Sequence, residues 1–139
     1  MTKMIHIDNH GLQHPPKQPQ LEAVLSPGTG LMWSIETIGN KRMTHAEAEK
    51  AVSELRLCGF SDWRLPTIQE LLTLVDYERH SPAIDTDYFP DTKSDWYWTS
   101  SSSAVDSGDA WVVSFGDGHS SRIYRAYSAF VRAVRSARQ

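Results

Sequence analysis

The sequence has one cysteine and no long apolar segment. Cys58 is the only cysteine among 139 residues, so the chain cannot form a disulfide bond with itself, and this usage is typical of a reducing compartment. No stretch reaches the roughly 18 consecutive apolar residues that indicate a membrane-spanning helix. Lys3 is not followed by the apolar segment of a signal peptide. We therefore expect no membrane partner and favour the cytoplasm as the location.

Positive charge and catalytic motifs are also scarce. The chain has 14 Lys and Arg against 17 Asp and Glu, a net charge of -3, whereas nucleic-acid-binding domains usually show a basic excess. Asp117, His119 and Ser120 are neighbours, but residues at a hairpin tip rarely reach the geometry of a Ser-His-Asp triad. A His-Glu metal motif is missing. We therefore expect no nucleic-acid partner, no cofactor, no catalytic residues and a protein that is not an enzyme.

The length is that of a single domain, and its first part differs in composition from the rest. Residues 1–26 contain Pro15, Pro16 and Pro19 and little apolar periodicity, which is typical of an extended arm. A Pro-Gly-Thr-Gly string then marks a turn-rich start of the globular part. We therefore place an N-terminal arm at residues 1–26 and the domain at residues 27–139.

Two capping boxes predict where helices begin. Thr44 with Glu47, and Thr67 with Glu70, have the Thr-x-x-Glu spacing in which each side chain binds a backbone N–H of the other residue. Apolar residues follow both boxes at helical spacing: Ala48, Ala51, Val52, Leu55 and Cys58 after the first, and Ile68, Leu71, Leu72 and Val75 after the second. Gly59 is expected to cap the first helix at its C-terminal end.

Strand patterns dominate the second half of the chain. They cover residues 96–101, 110–115, 122–124 and 130–135, with a Gly-Asp-Gly hairpin signal at 116–118. Trp111, Val113 and Phe115 alternate on one face, as in a half-buried strand. A short apolar strand at 31–34 precedes the helices. Helices followed by a run of antiparallel strands predict the fold class α+β.

Five strings carry a resemblance to a known family. They are Gly-Leu-Met-Trp at 30–33, Asp-Trp-Arg-Leu-Pro-Thr at 62–67, Tyr-Trp-Thr-Ser-Ser at 97–101, Ala-Trp-Val-Val-Ser-Phe at 110–115 and Val-Arg-Ala-Val-Arg at 131–135. Over roughly residues 28–136 the chain resembles the DUF1566 family, also called the Lcl C-terminal domain family. Members often carry a cysteine where Ala133 stands, so their disulfide is missing here.

The resemblance implies a C-type-lectin-like fold. In this fold two helices pack on a twisted antiparallel sheet whose N- and C-terminal strands are paired. The formylglycine-generating-enzyme group and phage receptor-binding proteins share it. The Asp-Trp-Arg string precedes the second helix, and we expect Asp62 and Arg64 to form a half-buried ion pair around a buried Trp63, because buried charges must be paired.

Aromatic and charged residues alternate in the late strands and loops. These residue types dominate protein interfaces and also stack on sugars, and in lectin-like folds this region is the usual ligand face. We therefore predict a binding module that holds a protein or carbohydrate ligand through residues 104–127. The predicted ligand-binding residues are Trp96, Asp106, Asp109, His119, Arg122, Tyr124, Arg125 and Tyr127. Trp98 is expected in the core.

Other interpretations remain open at this point. Asp85, Asp87, Asp91 and Asp95 offer oxygen ligands for calcium, but the sequence lacks the Glu-Pro-Asn, Gln-Pro-Asp and Trp-Asn-Asp strings of calcium-dependent lectins, and we predict no metal. An enzyme-like relative of the formylglycine-generating group would lack that group's reactive cysteine pair. A structural domain of a larger assembly would use residues 1–25 as a docking arm.

Overall fold

The computed structural model describes residues 4–8, 13–14 and 21–137. The strands are β1 (Ile5–Asp8), β2 (Gln13–His14), β3 (Leu21–Ser26), β4 (Leu31–Ser34), β5 (Trp96–Ser102), β6 (Asp109–Ser114), β7 (Ser120–Tyr124) and β8 (Val134–Ser136), and the helices are α1 (His45–Ser53) and α2 (Ile68–Leu72). All neighbouring strands are antiparallel. The fold class is therefore α+β, as predicted. No helix in the described residues has the length and apolar character to cross a membrane.

The strands form two sheets where the sequence predicted one. The first has the order β2-β1-β3-β4-β8 and the second the order β5-β6-β7. Between β7 and β8 the chain makes only single bridges, Met43 to Ala129 and Tyr97 to Phe130. Because no ladder continues through this segment, the sheets stay separate. The strand that opens the predicted domain, β4, pairs with the closing strand β8 through Trp33 opposite Val134.

Three strands lie in the segment that the sequence analysis described as an arm. β3 occupies the centre of the first sheet, and Ala23 and Val24 are both fully buried. Because these two adjacent residues are both apolar, β3 lacks the regular alternation of apolar and polar residues by which a strand is predicted from sequence. The predicted boundary between residues 26 and 27 falls in the turn between β3 and β4, and the division into arm and domain stays a prediction.

The β5–β6 strand pair is buried on both faces. Trp98 and Val112 belong to one apolar cluster, which also includes residues of α1. Tyr97 and Val113 belong to a second cluster, which includes Leu71 of α2. The prediction that Trp98 is in the core is confirmed, whereas the half-buried strand predicted for β6 is buried on both sides.

Both helices begin at the predicted capping boxes. Thr44 Oγ1 accepts a hydrogen bond from the backbone of Glu47 at 3.3 Å, and the second box has the same reciprocal bonds. The first helix ends at Ser53, so the predicted glycine cap is wrong. Cys58 and Gly59 have φ of 56° and 78° and form the centre of a tight turn instead.

The hairpin between β6 and β7 is confirmed at the Gly-Asp-Gly signal, and it packs closely against the segment after α2. Gly118 has φ of +87°, and a Cβ added there would lie 2.6 Å from Val75 Cγ1. A side chain would therefore meet both backbone strain and a clash. Glycine at this position lets the hairpin tip rest on Val75 and Tyr77.

The corner around Trp63 contains two ion pairs with partners other than those predicted. Trp63 is buried, as expected. Asp62 binds Arg135 through two hydrogen bonds of 2.6 and 3.2 Å, and Arg64 binds Glu70 through two of 2.7 and 2.9 Å. The predicted pairing of Asp62 with Arg64 is therefore wrong, since each side chain reaches a partner that the fold brings to it. These pairs connect the corner to β8 and to α2.

The pair of Arg64 and Glu70 predicts a pH dependence of stability. Hydrogen bonds from Arg64 hold the pKa of Glu70 below its usual value, and the backbone N–H of Thr67 lowers it further. A carboxyl whose pKa is lowered in the folded state stabilises that state above its unfolded pKa of about 4.3, and this stabilisation is lost as the pH falls through the folded pKa. We expect Glu70→Gln to lower the free energy of unfolding by about 0.5–1 kcal/mol at neutral pH, since the pair is partly exposed.

Denaturant unfolding at pH 7 and at about pH 3 checks this expectation. The difference in free energy of unfolding between wild type and Glu70→Gln should be smaller at the lower pH, because protonation of Glu70 removes the ion pair as the pH falls toward its lowered pKa. Glu54→Gln changes an exposed glutamate and is the matched control. If the two proteins differ in free energy of unfolding by the same amount at both pH values, the charge of Glu70 does not contribute to stability.

Candidate functional site

The outer strand of the second sheet presents the predicted binding face. In β7 only Ile123 is buried, and its neighbours Arg122 and Tyr124 are exposed. The register places Asp109 opposite Tyr124 and Trp111 opposite Arg122. A strand paired on a buried neighbour has a well-defined position, so the exposed side chains of β7 project from a rigid base.

Two exposed aromatic rings meet where β7 ends, and a third lies at the start of β5. Tyr124 and Tyr127 are 54% and 61% exposed, and their rings meet edge to face with centroids 6.0 Å apart. The backbone N–H of Tyr127 donates to the carbonyl oxygen of Tyr124 at 2.9 Å, which closes the turn between them. Trp96, at the start of β5, is 38% exposed. Large apolar surface left open to water in this way commonly marks an interaction site.

The first of two adjoining grooves lies beside Trp96, and we call it the Trp96 groove. It has a volume of about 600 Å³ and is lined by Arg42, Asp95, Trp96, Ala126, Tyr127 and Ser128. Arg42 forms an ion pair with Asp95. The other carboxylate oxygen of Asp95 accepts a hydrogen bond of 2.7 Å from the backbone of Trp96. The groove therefore combines aromatic surface with one fixed pair of opposite charges.

The second groove lies on the other side of Ala126, and we call it the Arg125 groove. It has a volume of about 380 Å³ and is lined by His45, Ala46, Glu49, Gly108, Tyr124, Arg125 and Ala126. Helix α1 supplies one wall and the loop before β6 supplies another. Ala126 lines both grooves, so the two are neighbours, with Tyr127 in the first and Tyr124 in the second.

Arg125 holds the Arg125 groove together. Its Nε donates to the carbonyl oxygen of Ser107 at 3.2 Å, and its Nη2 donates to Ser102 Oγ at 2.6 Å. Its Nη1 lies 2.9 Å from His45 Nδ1. A guanidinium only donates, so Nδ1 accepts, and the proton of the neutral imidazole is on Nε2, which donates to the Thr99 carbonyl oxygen at 2.9 Å. Three of the five N–H groups of Arg125 are thus already used within the protein.

Four of the predicted site residues line the grooves, and two more lie beside the second groove. Trp96 and Tyr127 line the Trp96 groove, and Tyr124 and Arg125 line the Arg125 groove. Asp106 and Asp109 flank Gly108 at the edge of the second groove, where Asp106 Oδ1 accepts from the Gly108 backbone at 2.8 Å.

The structure places the other two predicted residues outside the grooves. Arg122 donates to Ser103 Oγ at 3.2 Å. His119 pairs with Asp117 at 3.2 Å at the far end of the hairpin. Tyr124 lies five positions after His119, which separates His119 from the Arg125 groove by about 16 Å along the strand.

Sequence reasoning missed four groove residues, namely Arg42, Asp95, His45 and Glu49. Arg42 is 53 residues from Asp95, and His45 is 80 residues from Arg125. Asp95 was considered only as a calcium ligand. Glu49 and His45 lie one helical turn apart, with His45 Nδ1 3.5 Å from Glu49 Oε1, but no local pattern distinguishes that turn of α1 from any other.

The acidic residues considered for calcium have separate roles in the structure. Asp85 accepts from the backbone of Asp87 at 3.0 Å, Asp91 accepts from the backbone of Thr37 at 2.9 Å, and Asp95 pairs with Arg42. Across the described residues, no three His, Cys, Asp or Glu side chains come together in a group able to hold a metal ion.

Comparison with known proteins identifies a family. The model of the Lcl C-terminal domain matches residues 22–135. The match includes all but the first residue of β3, the strands β4 to β7, the first two residues of β8, both helices and both grooves. No curated protein matches the chain.

Proposed function

The chain belongs to the Lcl C-terminal domain family, and we propose that it is a non-enzymatic binding module. It recognises a protein or glycan ligand through the face formed by residues 104–127 together with Trp96. The observation that carries the proposal is the position of Trp96, Tyr124 and Tyr127, three exposed aromatic side chains around two adjoining grooves. Aromatic residues and arginine are the residue types that contribute most to binding energy at interfaces.

The shape and rigidity of the face support binding. The rings stand on paired strands and a hydrogen-bonded turn, so little conformational entropy is lost when a ligand orders them. The groove volumes of about 600 and 380 Å³ lie in the range typical of ligand sites. Arg125 keeps the loop before β6 in contact with α1. It therefore positions the wall of the Arg125 groove that this loop forms.

We further propose that the fold is C-type-lectin-like. Two features support the proposal: β4 and β8, which open and close the predicted domain, are paired, and both helices precede the hairpins of the second sheet. In folds of this kind the late strands and loops usually carry the ligand, which agrees with the position of the grooves beside β5 and β7.

Tyr124→Ala tests the proposed face. A glycan array and a phage-displayed peptide library, both probed with the wild-type chain, supply ligands for the measurement. We expect Tyr124→Ala to weaken binding of the selected ligand by about tenfold or more, the effect of losing an aromatic hot spot. The melting temperature should stay nearly unchanged, because the ring is more than half exposed.

Tyr77→Ala is the matched control, since Tyr77 is 72% exposed and contacts the hairpin tip at the opposite end. Binding should survive this change. Arg125→Ala is a poorer test, because loss of its three hydrogen bonds would also loosen the groove wall. Failure of the wild-type chain to bind either library, or binding that Tyr124→Ala leaves intact, would contradict the proposal.

A further inference from the structure

We propose that the Trp96 groove is a subsite for one ring of an uncharged saccharide, bound without a metal ion. The inference rests on the proposed function and names the ligand class for one of its two grooves. Two residues outside the predicted binding face of residues 104–127, Arg42 and Asp95, are essential to the argument.

The charges in the groove favour an uncharged ligand. Among the described residues, Arg42 and Asp95 are the only charged side chains that line it, and they neutralise each other in an ion pair. A carboxylate or sulfate bound to Arg42 would lie beside the like charge of Asp95, and an amine bound to Asp95 would lie beside the like charge of Arg42. A hydroxyl group meets no such repulsion, and it can donate to the carboxylate and accept from the guanidinium at the same time.

The aromatic surface fits a sugar ring. The C–H groups on one side of a pyranose carry slight positive charge, and the face of an aromatic ring is negative. Trp96 and Tyr127 both line the groove and are 38% and 61% exposed, so each keeps ring surface available. A saccharide that stacks on either ring directs its hydroxyl groups toward the adjacent ion pair.

The polar groups of the groove are held in place before a ligand arrives. Asp95 accepts from the backbone N–H of Trp96 at 2.7 Å, and its own carbonyl oxygen accepts from the Phe115 backbone at 3.0 Å. The guanidinium of Arg42 lies over the Phe130 ring, 5.5 Å from its centroid. The side chains of Arg42 and Asp95 are nevertheless 52% and 30% exposed. Both side chains are therefore fixed in position and still accessible to a ligand. This combination allows directional hydrogen bonds to adjacent hydroxyl groups of a saccharide.

The adjacency of the two grooves favours a ligand longer than one ring. Ala126 lines both, and Tyr124 stands over the second. A saccharide ring in the Trp96 groove would thus have its neighbour near Tyr124. We expect disaccharides and longer oligomers to bind more tightly than the corresponding monosaccharide.

Titration of the full chain with lactose, maltose, cellobiose and N,N′-diacetylchitobiose tests the inference, at concentrations up to the millimolar range expected for single-site sugar binding. Binding is followed by isothermal titration calorimetry and by the indole N–H resonance of Trp96 in NMR spectra. We expect at least one of these sugars to shift that resonance, with an affinity that changes little with salt or EDTA. Trp96→Ala should weaken binding about tenfold or more, and Asp95→Asn should weaken it severalfold, whereas Tyr77→Ala should have no effect.

Three results would overturn the inference. They are the absence of binding to every sugar of this set, binding that Trp96→Ala leaves unchanged, and binding confined to sulfated or uronic-acid saccharides with a strong salt dependence. The Tyr124→Ala experiment tests the proposed function independently of these results. If a ligand binds in a way that depends on Tyr124 but not on Trp96, the chain is still a binding module, and only the proposal of a neutral-sugar subsite is wrong. Circular dichroism of Trp96→Ala and Asp95→Asn distinguishes loss of binding from loss of fold.

Discussion

Arg132→Ala is expected to lower the free energy of unfolding by about 3–5 kcal/mol, one of the two largest effects among the changes considered. Arg132 is completely buried. Its Nη1 donates to the carbonyl oxygens of Ser34 and Ile35 at 2.7 and 2.6 Å, and its Nη2 donates to Thr92 Oγ1 at 2.7 Å. The substitution would leave a large cavity and three buried acceptors without a donor.

The surroundings of Arg132 explain how a buried cation is tolerated. Burial lowers the pKa of Arg132, because removal from water disfavours the charged form. The carbonyl oxygens offset part of this penalty, and so does the Phe89 ring, whose centroid is 4.7 Å from the guanidinium. Arg132 thereby connects the end of β4 to the loop that carries Thr92. We expect this connection to be essential for the packing of the second apolar cluster.

Thermal and urea unfolding measure the effect of Arg132→Ala. Arg132→Met restores most of the volume without any N–H group, and we expect it to remain about 2 kcal/mol or more below wild type, since buried acceptors stay unsatisfied. Arg122→Ala, at an exposed position, should change stability by less than about 0.5 kcal/mol. Wild-type stability of Arg132→Met would show that the hydrogen bonds of Arg132 are not needed.

Trp63→Ala should lower the free energy of unfolding by about 3–5 kcal/mol, the usual effect of truncating a large buried aromatic residue. Trp63 is 3% exposed and belongs to the apolar cluster that includes Trp98 and residues of α1. Its Nε1 donates to the carbonyl oxygen of Leu57 at 3.3 Å. The ring therefore joins the turn after α1 to the corner before α2, and its loss would weaken both.

Trp63→Phe separates the two contributions of the indole. Phenylalanine keeps most of the apolar surface and loses the hydrogen bond to Leu57, so we expect a smaller loss of about 1–2 kcal/mol. Urea unfolding with the m-value as a check on two-state behaviour is the appropriate measurement. Trp63→Ala with the melting temperature of wild type would contradict the assignment of this residue to the core.

Local signals in the sequence predicted the elements whose contacts are local. The capping boxes at Thr44 and Thr67 involve residues three positions apart, and both were correct. The hairpin at 116–118 follows from the conformational freedom of Gly118. The end of α1 was wrong because Cys58 satisfied the helical period while the chain had already turned back at residues 57–60. Periodicity alone does not distinguish a helix from a tight turn with buried neighbours.

Tertiary contacts determined the features that no short stretch contains. The strands of residues 5–26 were missed for two reasons: β1 alternates over only four residues, Ile5 to Asp8, and in the central strand β3 the adjacent buried residues Ala23 and Val24 interrupt the alternation. Arg132 stands between the apolar residues Val131 and Ala133, where a charged side chain in a strand is expected to face solvent. Its burial depends on carbonyl oxygens almost 100 residues away in sequence, at separations of 98 and 97.

The α+β class, the starts of both helices, the buried Trp63 corner and the family resemblance all follow from patterns in the sequence, and the match over residues 22–135 confirms the resemblance. The same patterns predicted the aromatic residues that surround the candidate site. The separation into two sheets, the partners of Asp62 and Arg64, and the two grooves depend on how the chain folds. The physical reason is that caps and turns are stabilised within a few residues, whereas a groove requires side chains such as Arg42 and Asp95 to be brought together from positions 53 residues apart.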